Sequence, residues 1–194
     1  MKLKSVKKIR DEWCDSETGQ ISKESLEDLK KHLEGEDEDK LCRAISLVTD
    51  ARLMQFVPLM AKHLDHEDDY IRELLIGDLL TILKLPEYAK VGLKMAQDDE
   101  DSGVRCLAVK GLGFIIDKAD DQIKKEIFCY FCNVIDQDIY DVDTKQDVYR
   151  AMTIALDIPR DQRPVLVENP DLTKFIKPEI VQQFKEKYGF ENKK

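Results

Sequence analysis

Apolar residues recur along most of the chain every three or four positions, the spacing of one buried helix face. No run shows the alternation that half-buried strands require. Leu3, Val6, Ile9 and Trp13 predict a short first helix, broken by the stretch DSETGQ. Ile21, Leu26, Leu29 and Leu33 predict a second, with Gly35 placed to end it. Leu41, Ile45 and Val48 mark a third, from Asp37 to about Val48. A fourth covers Arg52–Leu64, with Pro58 expected to kink or restart it. Helical spacing continues in IRELLIGDLLTILKL, in PEYAKVGLKMA opened by Pro86, and in VRCLAVKGLGFII. It resumes in QIKKEIFCYFCNVI and, beyond the linker DQDIYDVDT, in DVYRAMTIALDI. The tail from Pro159 holds Pro159, Pro164, Pro170 and Pro178. It is expected to run over the surface until a last helix near Glu179–Tyr188.

The chain also repeats itself. Asp65–Arg72 reads DHEDDYIR, and thirty-three residues later Asp98–Arg105 reads DDEDSGVR. The register sets Asp65 over Asp98, Arg72 over Arg105, Leu75 over Ala108 and Leu79 over Leu112. Each unit is then a helix, an acidic turn and a second helix. An earlier unit at Glu36–Val48 and a later one from Asp136 are degenerate, as end units that cap a repeat array tend to be.

These residues resemble HEAT repeats, the short bacterial type in particular: VRCLAVKGLGFI has its Val-Arg, small residue and Leu-Gly, and RLMQFVPLMAKHLDHEDDYIR has the proline-bearing first helix, the Asp turn and the Arg that opens the second. The resemblance covers about residues 36–158 and leaves 159–194 as a carboxy-terminal extension. It implies an all-α fold, an α-α superhelix of helical hairpins in a single domain over residues 1–194, preceded by an amino-terminal helix. By the same likeness Asp65, Arg72, Asp98 and Arg105 link adjacent repeats. Second helices line the concave side, so their non-core stripes become the candidate contact surface. On VRCLAVKGLGFIID a 100° step puts Val104, Ala108, Leu112 and Ile115 on one face. Cys106, Lys110, Gly113 and Asp117 fall opposite; Glu73, Gly77, Leu80 and Lys84 correspond one repeat earlier.

Composition agrees with helices. Only 8 Gly and 6 Pro punctuate 194 residues, below the usual share of about 12%. The net charge of −9 opposes phosphate backbones, so no nucleic-acid partner is expected. No apolar run reaches about 18 residues, which excludes a membrane span. The basic amino terminus lacks an apolar region after it and does not read as a secretory signal. Five cysteines (Cys14, Cys42, Cys106, Cys129, Cys132), mostly within apolar helical patterns, suit buried free thiols in a cytoplasmic protein.

Motifs for chemistry are incomplete. The pair Cys129 and Cys132 has no second Cys or His pair for zinc. A calcium loop from Asp98 has Gly103 sixth but Val109 twelfth; one from Asp136 has Asp141 and Asp147 at those places, and neither fits. The acidic strings read instead as complements to helix N-termini. His63 and His66 lie near a loop and are expected in solvent. No nucleotide or nucleophile signature occurs, so no catalytic residue, metal or cofactor is expected. The expectation is therefore a non-enzymatic protein-binding module, most specifically a small acidic inhibitor of the immunity-protein kind steering onto a basic partner such as a toxin. An adaptor subunit is the nearest alternative. HEAT-like bilin lyases and DNA glycosylases are the enzymatic one.

Overall fold

The computed structural model describes residues 3–168 and 170–189. Among these every regular element is helical and no strand occurs, as the spacing predicts. In chain order the helices are α1 (Val6–Asp15), α2 (Lys23–Leu33), α3 (Glu38–Asp50), α4 (Val57–Met60), α5 (Asp69–Gly77) and α6 (Ala89–Asp98). They continue as α7 (Ser102–Ile115), α8 (Asp121–Asp136), α9 (Val142–Ala155), α10 (Leu172–Phe175) and α11 (Pro178–Tyr188). None is long and apolar enough to cross a membrane. Contacts group the chain into two compact units, one up to Asp78 and one from Leu79 onward.

The acidic strings start helices. Asp37, Asp68, Asp101, Asp120 and Asp141 each accept, at 2.7–3.2 Å, the backbone N–H three residues ahead. Each cap satisfies a donor the helix cannot use itself, worth about 1 kcal/mol. Pro58 fragments its segment into the 3-10 turn Met54–Phe56, the single α turn α4 and a second 3-10 turn, Ala61–His63.

In the first unit α3 packs on α1, α2 and α5. Ile9, Leu29, Leu33, Ile45, Val48, Ile71 and Leu75 are fully buried there. Past α5 the chain makes a π-helical turn, Asp78–Ile82, at whose start Asp78 is buried. Its carboxylate accepts from Thr49 Oγ1 at 2.7 Å. Burial, helped by the charge of Asp50 and opposed by the Thr49 bond, pushes its pKa up to about 6. A raised acid pKa means that the folded chain holds this proton while the unfolded chain has lost it. Stability should therefore fall as pH rises from about 4 to about 6, by at most on the order of 3 kcal/mol. Asp78→Asn keeps an acceptor for Thr49. It should raise the melting temperature at pH 7.5 and flatten that slope in melts taken across the window.

In the second unit α7 packs against both α6 and α9. Two glycines of α7 allow close approach, Gly111 to the π-helical turn and Gly113 to α9. A Cβ on Gly111 would lie 2.4 Å from Leu80 Cβ, and one on Gly113 2.6 Å from the Ala151 carbonyl oxygen. The carboxy-terminal extension docks through α11 on α8 and α9. Tyr188 Oη there lies 2.9 Å from Asp117 Oδ1 and 2.8 Å from the Ala155 carbonyl, with Lys187 Nζ 3.0 Å from Asp117 Oδ2.

Candidate functional site

The repeated turns have one geometry. Arg72 Nη1 donates to the carbonyls of His66 and Glu67 at 2.8 and 2.9 Å. Arg105 Nη1 donates to Asp99 and Glu100 at 2.8 and 3.0 Å. The offsets of six and five residues are identical. Asp68 N–H donates to His66 Nδ1 and Asp101 N–H to Asp99 Oδ1, both at 3.0 Å. The thirty-three-residue register is thus one of bonds as well as letters. These bonds tie each arginine to the turn that opens its own helix. The working turn acids are Asp68 and Asp101, which cap, whereas Asp65 and Asp98 are exposed.

The predicted stripe is only partly surface. Leu80, expected to be exposed, is fully buried, and Gly113 is buried against Ala151, so neither offers contact area. Gly113 lies where α7 has α6 and α9 as neighbours, and Leu80 packs against Gly111 of α7, so burial extends beyond one 100° face. Glu73, Gly77, Cys106 and Lys110 are half-buried and Lys84 is exposed. Asp117 is exposed but held by Lys187 and Tyr188. Charge reversal there would loosen α11 as well as alter a surface.

Beside Lys110 the structure gathers residues that periodicity does not bring together. A pocket of about 250 Å³ is lined by Thr81, Lys110, Phe114, Arg150, Ile154, Arg160 and Arg163. Its lining holds four cations and no carboxylate. α7 supplies Lys110 and Phe114, α9 supplies Arg150 and Ile154, the 3-10 turn Arg160–Gln162 supplies Arg160, and Arg163 follows it. Arg163 is fixed by donating from Nε to the Ile158 carbonyl at 2.7 Å. Burial, then the charge of Arg150, holds its pKa below the usual arginine value; Arg160 acts the same way and Asp157 opposes. Arg150 Nε is buried with no hydrogen-bond partner. Lys84 Nζ lies 5.2 Å from the centre of the Phe114 ring. A chain of net charge −9 has concentrated positive charge here.

None of the other candidate groups forms a comparable site. All five cysteines are free, but none is buried: Cys14 and Cys129 are exposed and the others half-buried. The helical stripes that carry them are partly solvated at their edges. Burial pushes Cys106 up to about 12, with Asp147 adding, and Cys132 up to about 11, so neither is a ready thiolate. His63 and His66 are half-buried and bonded to backbone, His63 Nε2 lying 2.7 Å from the Leu33 carbonyl. No group of three or more His, Cys, Asp or Glu placed to hold a metal occurs among the described residues. Comparison with known proteins finds no family model, no curated protein and no solved structure that matches this chain.

Proposed function

We propose that this chain is a non-enzymatic protein-binding module, built from HEAT-like hairpins stacked as an α-α superhelix, that inhibits a basic protein partner in the manner of an immunity protein. The identical bonding of the Arg72 and Arg105 turns supports the repeat reading. The observation that carries the partner reading is where the charges sit. Glu67 and Asp69 are exposed at a turn of the first unit, and Glu100, Asp138, Asp141 and Asp143 in or beside turns of the second, while the stripe of second helices mixes Glu73 and Asp117 with Lys84 and Lys110. The acidic turns, each within its own unit, are therefore the surfaces offered to a basic partner rather than that mixed stripe. Such a surface accelerates encounter over distances set by ionic screening.

The test begins with capture of partners by the full chain from its source cells, followed by association kinetics on the purified pair. A basic partner is expected whose association slows at least about tenfold between roughly 20 and 300 mM salt. Glu67→Lys and Glu100→Lys, each melted first to show that it folds, should slow it further, and Arg160→Gln should leave it unchanged. A salt-independent rate, or full activity of both reversed variants, would remove the acidic turns from the interface.

A further inference from the structure

We propose that the pocket between α7, α9 and the turn after Pro159 binds a small, multiply phosphorylated anion. Four like charges from separate elements repel one another unless something negative lies among them, and the lining supplies no carboxylate. Burial, and after it the charges of Arg150 and Arg160 against that of Asp157, holds the Arg163 pKa below its usual value. Arg150 lines the pocket from α9, and its Nε is buried with no hydrogen-bond partner, so the charge that its guanidinium brings to the pocket is not answered by a bond at that atom. Asp157 and Asp147 are the carboxylates whose charges reach Arg163 and Arg150; neither lines the pocket.

Phosphate fits this donor set better than carboxylate. Guanidinium forks donate in pairs to phosphate oxygens. A tetrahedral phosphoryl group accepts from several directions at once, as donors on separate elements require. Three or four cations call for more than one phosphate. At about 250 Å³ the pocket admits a compact anion such as a di- or triphosphate. A long phosphate backbone would also be repelled by the net charge of −9 beyond the pocket. A compact anion meets only the pocket. This site is independent of the turn face and can stand or fall without it.

Inorganic tripolyphosphate is the first probe, titrated calorimetrically into the full chain at low salt. Saturable one-to-one binding is expected, weakened at least about tenfold by 300 mM salt. Arg150→Gln and Arg163→Gln should each weaken it at least about tenfold, while Lys118→Gln, an exposed control, leaves it intact. Each variant is melted without ligand. Should Arg150→Gln fail to fold, Arg160→Gln on its exposed turn carries the same test. A nucleoside triphosphate is expected to bind as well as the inorganic chain, because the phosphates alone are read. The proposal is overturned if tripolyphosphate does not saturate, or if the arginine variants bind it like the parent. It is equally overturned if citrate binds as tightly, which would leave a site for charge alone, or if a single-stranded oligonucleotide or a phosphopeptide binds more tightly than every small phosphate.

Discussion

Phe184→Ala should lower the unfolding free energy by about 3–5 kcal/mol. The ring is fully buried on α11. Its centre lies 5.9 Å from Phe128, 5.8 Å from Phe131 and 4.8 Å from Tyr188. Removing it empties the middle of an aromatic cluster, and Phe128 and Phe131 sit on the long helix α8, which is poorly able to collapse into the gap. The cavity term should add to the lost transfer energy, and α11 should exchange its amide protons faster than α7 in the same variant. Urea denaturation measures the first effect and hydrogen exchange the second. A loss below about 1 kcal/mol would mean that the extension is draped over α8 rather than built into the core.

The second large effect tests the repeat register. Leu79 and Leu112 occupy equivalent places thirty-three residues apart, and both are fully buried. Leu79→Ala should cost about 2–5 kcal/mol and Leu112→Ala a similar amount, by the same loss of packed methyl groups. Leu79 stands in the π turn, whose carbonyl accepts from Leu85 N–H at 3.0 Å; alanine keeps that bond, so the change reads packing alone. A cost under about 1 kcal/mol at Leu79 beside a large one at Leu112 would show that the two positions are alike in letters and not in role.

Much of the fold was legible because a helix that buries one face writes its period into the chain. Val104, Ala108, Leu112 and Ile115 were assigned to a core face on spacing, and all four are fully buried. The last helix was placed at Glu179–Tyr188 and runs Pro178–Tyr188. Spacing fails where a helix is covered on both flanks. In α7, Val109, Gly111, Gly113 and Ile116 beside its end are buried too, so the wheel wrongly made Gly113 surface. The glycines themselves held the missing signal, since each weakens a helix by about 1 kcal/mol unless something must approach closely. The cationic pocket was harder to see. Lys110 and Arg150 are forty residues apart, and Arg160 and Arg163 lie in a proline-rich tail whose path no period describes. Three arginines within fourteen residues of an acidic chain were the available cue.

The closure of the turns separates two kinds of constraint. Arg72 and Arg105 grip main-chain carbonyls, which every residue possesses, so the grip is indifferent to the side chains it holds. Equivalent places in the two turns already differ, Asp69 against Ser102 and Tyr70 against Gly103, on the same bonded frame. Only the cap and the acceptor two residues before it are specified by their side chains. The exposed letters of a turn can therefore be rewritten by mutation at little expense to folding, and recognition can diversify while the scaffold beneath it stays as it is.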